Sequence, residues 1–464
     1  SDEIEYKCKS IVLCPGTFLR GKIFWGKYER EAGRQGEINS VKLANCLEEL
    51  NYKFGRLRTE TPPRVDKKTV RLNDLKIQAY DKFPGMFSYE NYYDGRKQIN
   101  NYITYIERDC IEYILKNIKN SSVYEKELRS ESPKYCPSIE DKVKRFSNKQ
   151  RHLIFIQPEG VDTEELYLHG LYNTFSENMQ EGIIRKIKGL EKAVLTRPGY
   201  GVEYDYLLPH QIKLSLESKK HKNLFFAGQI NGTTGYEEAA SQGIIAGLNA
   251  ALSVKKKEKM KIGRDEGYIG ILIDDVVSKG VTEPYRMLTS RNEFRLVQRH
   301  DNADIRMVKF LKKIGLKKKA AIIENKYEKI NYAFKSLSKS TCCRNKNFLE
   351  DLRQDRVKSK DLSKIKKDFK LDDRELESLI INIKYENYIN REISRIKALK
   401  MQNELKIPEN INYEDVKDLS KEAIIKLINF KPETINQVLK IEGVKPTDVF
   451  TLITYLKNVS RETL

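Results

Sequence analysis

The chain has 464 residues, 33% of them charged, and a formal net charge of +20. That length exceeds what one hydrophobic core usually organises, so two or three domains are expected. No apolar run approaches the roughly 20 residues needed to span a bilayer, and the first residues do not resemble a signal peptide.

The seven cysteines are scattered without a CxxC pair, and there are only five histidines. This argues for reduced thiols in a cytosol-like compartment, the cytoplasm, with an organelle matrix as the alternative, and against a structural zinc site; no metal is expected. Residues 255–370 hold 32 Lys and Arg against 16 Asp and Glu, whereas residues 371–464 hold 15 against 16. A merely lysine-rich habit would not leave the last stretch neutral. The basic quarter is therefore read as facing a polyanion.

From the start, Ser10–Cys14 reads as a strand and Pro15-Gly16-Thr17 as a tight turn, as if the chain entered the middle of a domain. GxGxxG, the usual dinucleotide pyrophosphate cradle, is absent. Cys14 and Cys46 lie among apolar neighbours and are expected in a core. Residues Asn51–Asp66 are extended, since Pro62-Pro63 rules out regular helix. Residues 70–182 mix strand-like runs (Tyr102–Ile106, Leu153–Gln157) with polar helices, as an inserted domain would.

Within that stretch, Cys136 is flanked by Lys134, Lys142, Lys144 and Arg145 just ahead of a helix start at Pro137-Ser138. Cations and a helix dipole lower a thiol pKa, so a reactive thiolate is one reading and a structural thiol the other. Next, Arg197–Tyr206 reads as a strand placing Glu203 and Asp205 on one face and Tyr204 and Tyr206 on the other. Those two carboxylates mark either a polar site or an exposed edge.

Residues Leu224–Ala227 form a short apolar strand that stops at Gly228. A loop with Gly232 and Gly235 follows, then a helix from Tyr236 rich in small residues. A strand, a glycine loop and a helix start can cradle a polar cofactor, although ordinary corners share the pattern. Beyond residue 262 the 3.6-residue apolar period dominates, as in Leu376, Leu379, Ile380 and Ile383, so the remainder is α-helical. Inside the basic quarter, beyond Asp274-Asp275, Arg286, Arg291 and Arg295 are spaced to share a helical face with Tyr285 and Phe294 interleaved. That face would suit RNA phosphates and bases, or else a salt-bridged helix pairing with Glu283, Glu293 and Asp301.

Several ordered blocks resemble one family: PGTFLRGKI, GRLRTETPPRVD, KYCPSIEDKVKRF, RPGYGVEYDY, FAGQINGTTGYEEAASQG and EPYRMLTSRNEFRL. The family is the FAD-dependent large subunit of the tRNA wobble-uridine carboxymethylaminomethyl modification enzyme, also called glucose-inhibited division protein A. The resemblance runs from Ile11 to about Leu456 and ends in a terminal helical motif around Pro432–Gln437 and Gly443–Pro446.

It implies an α/β fold followed by an α-helical carboxyl-terminal region. The α/β part would be an incomplete Rossmann-like FAD-binding domain (1–57 and 183–253) carrying an inserted nicotinamide-binding domain (58–182). A basic helical domain (254–400) and a helical partner-binding subdomain (401–464) would follow. The activity implied is addition of a (carboxymethyl)aminomethyl group to C5 of the wobble uridine. It would use FAD, NADH and methylene-tetrahydrofolate, act with a GTPase subunit in a heterotetramer, and rest on a homodimer.

The resemblance also implies site residues. Ser40, Gln229, Gly16, Thr17, Gly228 and Asn231 would touch FAD. The nicotinamide stretch would be Pro133, Lys134, Tyr135, Cys136, Pro137, Ser138, Ile139, Glu140, Asp141, Lys142, Val143, Lys144, Arg145 and Phe146. Cys136 would form the covalent adduct; the expectation that Arg286, Arg291 and Arg295 meet tRNA comes from their spacing and charge, not from the resemblance. Glu60, Ser130, Ser132 and Asn387 stand where the family has glycine, and Lys134 where it has arginine. With GxGxxG missing, the chain by itself is expected to hold FAD weakly or not at all. A folate- and FAD-dependent tRNA uracil-5-methyltransferase and a non-catalytic tRNA-binding remnant are the alternatives.

Overall fold

The computed structural model describes residues 4–80, 88–89, 98–125, 130, 137–339, 349–354, 356–357, 359–403, 405–408 and 410–462. Short strands separated by glycine and proline build the first half. They are β1 (Ile11–Leu13), β2 (Lys22–Trp25), β3 (Tyr28–Glu31), β4 (Phe54–Thr61), β5 (Arg64–Asp66) and β6 (Lys76–Gln78). There follow β7 (Asn101–Ile106), β8 (His152–Pro158), β9 (Glu165–His169), β10 (Leu195–Arg197), β11 (Tyr200–Leu207) and β12 (Leu224–Phe226).

Three sheets result. β1 and β12 pair in parallel, Ile11 opposite Leu224 and Leu13 opposite Phe226. A four-stranded sheet runs β3-β2-β11-β4, and a six-stranded sheet β10-β5-β9-β8-β7-β6. β4 and β11 register over eight residues, from Tyr200 opposite Thr61 to Leu207 opposite Phe54. Pro62-Pro63 on one strand and Pro198-Gly199 on the other break this ladder. The same two chain segments then pair again, as β5 and β10, in the next sheet. Gln180 clamps the break: its side-chain oxygen accepts from the Gly199 N–H at 2.6 Å and its NH2 donates to the Gly199 carbonyl at 2.8 Å.

A few helices begin at a side chain that satisfies a free amide, as at Ser138 and Ser420, whereas several others start without one. In the first half, apart from a single turn at Ser122–Glu125, the helices are α1 (Val41–Glu49), α2 (Arg108–Lys116), α3 (Ile139–Arg145), α4 (Glu177–Ile184) and α5 (Tyr236–Val254). Ser138 caps α3 by accepting from the Asp141 N–H at 3.3 Å. Glu140 and Asp141 at its start and Lys142, Lys144 and Arg145 at its end complement the dipole. Then come α6 (Tyr268–Asp274), α7 (Ala303–Lys313), α8 (Lys317–Lys339), α9 (Ser359–Asp368), α10 (Asp373–Asn403), α11 (Lys421–Phe430) and α12 (Pro446–Glu462). Asp372 and Glu375 open α10 with a reciprocal capping box, each side chain accepting the other's N–H at 2.8 and 2.9 Å.

Four main cores organise these elements. One packs Leu19, Leu47, Phe225, Phe226 and Ile245, and it also draws in Leu272, Val277 and Tyr285 from beyond α5. The second, of Ile106, Ile111, Ile139, Val143 and Ile154, belongs to the insert. The third gathers Ala320, Ile330, Leu379 and Ile383. The last gathers Leu427, Ile435, Val438 and Leu452.

Two expectations are corrected. Cys14 and Cys46 are exposed rather than core; Cys14 lies just past β1, and Cys46 falls on the face of α1 opposite the buried Ala44 and Leu47. Arg286, Arg291 and Arg295 share no helical face. Residues 281–300 carry only a 3-10 turn at Thr289–Arg291, because Pro284 and side-chain hydrogen bonds from Asn292 set the backbone there.

Candidate functional site

The parallel pair delivers two glycine turns to the same end. β1 leads to Gly16 at φ +57° and β12 leads to Gly228 at φ +85°, conformations that favour glycine. The carboxyl ends of parallel strands are where α/β folds bind ligands. Gln229 bridges the turns: its side-chain oxygen lies 3.6 Å from where a Cβ on Gly16 would sit. Its NH2 group is 3.5 Å from the buried Tyr204 hydroxyl. Thr17 donates its hydroxyl to the Gly33 carbonyl at 2.7 Å. Ser40 stands at the start of α1 with its side chain making no capping bond, and its N–H is held by the Phe18 carbonyl at 2.7 Å.

Asn231 plays a different part from Gln229. It is fully buried, and its NH2 donates to the Phe226 carbonyl at 2.9 Å and to the Gln242 oxygen at 2.8 Å. The Gln242 oxygen also accepts from the Gly228 N–H at 3.3 Å, and its NH2 donates to the Thr233 hydroxyl at 3.0 Å. Asn231 and Gln242 therefore set the loop's shape, leaving Asn231 Oδ1 as a buried oxygen without a partner among the described residues.

The start of α5 is not an empty anion cradle. Glu237 and Glu238 occupy its first turn, so the chain's own carboxylates meet the positive dipole end. Glu238 is buried and accepts from the Met287 N–H at 2.7 Å and from Arg286 Nε at 3.2 Å. A Cβ on Gly235 would fall 1.4 Å from its other oxygen. This corner suits a neutral polar group, and a pyrophosphate would need a cradle elsewhere.

On β11 the expected alternation holds. Asp205 accepts from Arg56 at 2.8 Å and Arg20 at 3.1 Å, and Glu203 is 3.6 Å from Arg56. Beside them, Arg58 Nε donates to Glu60 at 3.0 Å in a buried pair. Burial pushes Glu60 up to about 7; Arg58 pulls it down, and Glu140 and Asp141 push it up. Burial also raises Glu140, which accepts from the Thr174 N–H at 2.8 Å and hydroxyl at 3.1 Å. Arg58 Nη1, Glu60 Oε2 and Glu140 Oε2 are buried without hydrogen-bond partners among the described residues.

The nicotinamide stretch is only partly visible. Pro133, Lys134, Tyr135 and Cys136 lie outside the described residues, as does Ser132. Of the rest, Ile139 and Val143 are core, Pro137 and Ser138 lead into α3, and Lys142 donates to the Gly170 carbonyl at 3.1 Å. Asp141 is partly buried beneath the Tyr124 hydroxyl, whereas Lys144, Arg145 and Phe146 are exposed. The exposed side of α3 is thus its carboxyl-terminal, basic end.

The arginine passage is tied inward: Arg286 meets Glu238 and Arg291 stands 4.0 Å from Asp275. Arg291 lies 4.2 Å above the Tyr285 ring and donates to the Arg286 carbonyl. The nearby hub is Arg264, which binds Asp275 at 2.6 Å, Asp274 at 2.9 Å and Glu293 at 2.7 Å. Burial would raise the Asp275 carboxyl, but Lys279 and Arg264 hold it below the usual carboxylate range. Arg295 is exposed. Sequence reasoning missed Glu238, Gln242 and the Arg58–Glu60 pair. Glu238 and Gln242 are one helical turn apart in the same block as the glycines, a spacing that could have revealed them.

Comparison with known proteins adds the following. The family model described as Glucose inhibited division protein A matches residues 1–258. That of the tRNA modifying enzyme MnmG/GidA C-terminal helical bundle matches residues 395–464. The tRNA uridine 5-carboxymethylaminomethyl modification enzyme MnmG of Borreliella burgdorferi is 42% identical over 475 residues, covering 98% of this chain and 75% of that protein. Its counterpart in Streptococcus sanguinis is 38% identical over 488 residues, covering 98% and 76%. The structure of Aquifex aeolicus GidA in its form I crystal superposes with a TM-score of 0.87 at 39% identity, over 98% of this chain and 77% of that one. The form II crystal gives 0.86 at 37% identity. The chain thus spans about three quarters of the length of these relatives. Among the described residues, no helix is long and apolar enough to cross a membrane.

Proposed function

The chain belongs to the glucose inhibited division protein A family of tRNA uridine 5-carboxymethylaminomethyl modification enzymes, and we propose how its residues serve that activity. The family is FAD-dependent and its substrate is tRNA. The observation that carries the reading is the meeting of Gly16 and Gln229 at the carboxyl ends of β1 and β12, beside the insert that bears Cys136.

Those residues fit part of a flavin. Two positive-φ glycines admit a ligand close to the backbone, and Gln229, Ser40 and Thr17 offer polar contacts. Gly228 contributes backbone, while Asn231 holds the loop. The residues present do not include GxGxxG. FAD, when bound, supplies electron transfer, with NADH as the reductant and methylene-tetrahydrofolate as the carbon source. The chain's own work is positional. Tyr204 orients Gln229, and Glu60 holds a proton that it can release near neutral pH. Cys136 supplies the thiolate for the uridine adduct, with α3 and the preceding residues receiving the nicotinamide.

In the same reading, residues 1–57 and 183–253 form the flavin domain and 58–182 the nicotinamide insert. Residues 254–400 form a basic helical domain, and 401–464 dock the GTPase subunit in a heterotetramer built on a homodimer. Arg295, the exposed member of the arginine passage, is the strongest of the three for RNA contact.

The test is a nucleoside analysis. The intact gene product, made with excess FAD, should absorb near 450 nm, roughly where any flavin absorbs. With its partner and substrates, it should convert wobble uridine. Cys136→Ser should abolish the product while leaving tRNA binding intact; full conversion by that variant overturns the adduct role. A wild-type chain that binds tRNA but never flavin would instead favour the non-catalytic remnant.

A further inference from the structure

Where the α/β half meets the carboxyl-terminal helices, a pocket of about 330 Å³ opens between Lys213 and Lys219 on one side and Ile411, Ile428 and Lys431 on the other. Its chemistry is two-sided. Lys219 donates to the Phe430 and Lys431 carbonyls, placing an ammonium at the negative end of α11. Burial brings Lys219 down to about 8, with Glu433 opposing and Lys213 and Lys431 adding to the fall. Burial, then Lys219 and Lys220, lower His210 to about 4. Burial, then Lys53 and Lys431, lower Lys220 as well.

Two carboxylates stand among these lysines and are shared with lysines farther out, Glu433 as part of the pocket lining itself and Glu217 beside Lys213. Glu433 pairs with Lys261, and the buried Glu217 binds Lys259 at 2.6 Å while Lys213 stands 3.9 Å away. Three lysines against the one carboxylate of the lining leave an excess of positive charge that a further anion would relieve. Opposite the lysines, Ile428 is 41% exposed although it is apolar. A surface of cations beside apolar side chains is what a single nucleotide satisfies, with its phosphate on one side and its base on the other. The volume falls near the lower bound of about 300 Å³ for small-ligand sites.

We propose that this pocket holds one nucleotide of the bound RNA, its phosphate among Lys213, Lys219 and Lys431 and its base against Ile411 and Ile428. The proposal rests on the tRNA reading above and names a contact of that substrate far along the chain from the glycine loop. A free nucleotide shares the same chemistry and is the other source.

The test uses the full chain and a labelled anticodon stem-loop RNA, read by fluorescence anisotropy across a salt series. Lys431 has φ +44°, so Lys431→Gly removes its charge while relaxing its backbone. Combined with Lys213→Gln it should weaken RNA binding about 5- to 10-fold. It should also lower the slope of log K against log salt by about 1. Lys256→Gly is the matched control, an exposed lysine at φ +52° outside the pocket, and should leave the slope unchanged. A double variant that behaves like the control overturns the proposal. If AMP then competes with nothing but itself binds wild type and not the double variant, the pocket takes a free nucleotide and the RNA assignment falls. A wild-type chain that binds no RNA overturns the tRNA reading itself, whereas normal binding with an unchanged slope in the variant overturns only the pocket.

Discussion

The glycine loop 228–235 and the arginine passage 281–295 are both dense in motif residues, yet they relate to the sequence in opposite ways. In the loop, each glycine does what its neighbours imply: positive φ at Gly228 and Gly232, and close approach at Gly235. In the passage, the spacing of three arginines suggested a helix face that does not exist. Glycine acts through its own backbone, so local sequence suffices, whereas side-chain spacing means something only once the backbone between is helical. The two regions are nonetheless one structure. Tyr285 exchanges backbone hydrogen bonds with Gly232 and Thr234, and Glu238 holds the Met287 N–H and Arg286. The loop that resembles a cofactor cradle is braced by the passage that resembles an RNA-binding face.

The sharpest way to break this pairing is Gln242→Leu. It removes the acceptor for Gly228 and Asn231 and the donor to Thr233 while leaving their buried groups unpaired. A loss of about 3 kcal/mol in chemical denaturation is expected, and a loss under about 1 kcal/mol would show that the brace is dispensable. Gly235→Ala comes next. Its Cβ displaces the buried Glu238 carboxylate and with it the Met287 hydrogen bond, at about 2 kcal/mol. Circular dichroism melts of Gly235→Ala and Glu238→Gln should then shift together, since one change acts through the other.

Glu60 tests the other flank of the site. Its folded value of about 7 lies above the ordinary 4.5, so the folded state binds the proton more tightly. Its stabilising contribution is complete below about pH 4.5 and is lost as pH rises through 7. Glu60→Gln should remove that decline and raise stability at pH 8 by about 1–2 kcal/mol. Glu140, also raised, sets the part that remains. A wild-type stability profile already flat from pH 5 to 8 contradicts the shift. The smallest effect is expected from Arg291→Ala, about 0.5–1 kcal/mol for the ring contact with Tyr285. Salt titration of RNA binding should leave that variant near wild type and move Arg295→Ala more. The reverse order would return Arg291 to the RNA surface.

Legibility followed the reach of each interaction. Pro62-Pro63 announced an extended passage, Ser138 a helix start and the Leu376–Ile383 period a helix, because those signals act within a few residues. The alternation on β11 also survived, since strand geometry places Glu203 and Asp205 on one face regardless of partner. Cys14 and Cys46 failed because apolar neighbours in sequence say nothing about which side of an element faces inward. The Lys440–Asp274 pair joins residues 166 apart, and Lys219 meets the end of α11 across 211. Contacts of that range have no signature in a single chain. The wording of whole blocks nonetheless carried the family, while the side chains that steady its loop had to be seen.

The proline-broken ladder between β4–β11 and β5–β10 has a mechanical consequence. The insert hangs from the rest of the molecule by two strands that cross from one sheet into the next side by side, each broken at the same level by Pro62-Pro63 and Pro198-Gly199. Extended backbone does not stretch, so such a strap resists pulling and shear, and it yields mainly by twisting about its own length. Gln180, gripping both backbone groups of Gly199, stiffens it at its weakest point. A swing of the insert about those prolines would also have to break the bonds that join Ser122 and Thr174 to Gly26 and Glu177 to Trp25, so the strap and this second attachment resist it together.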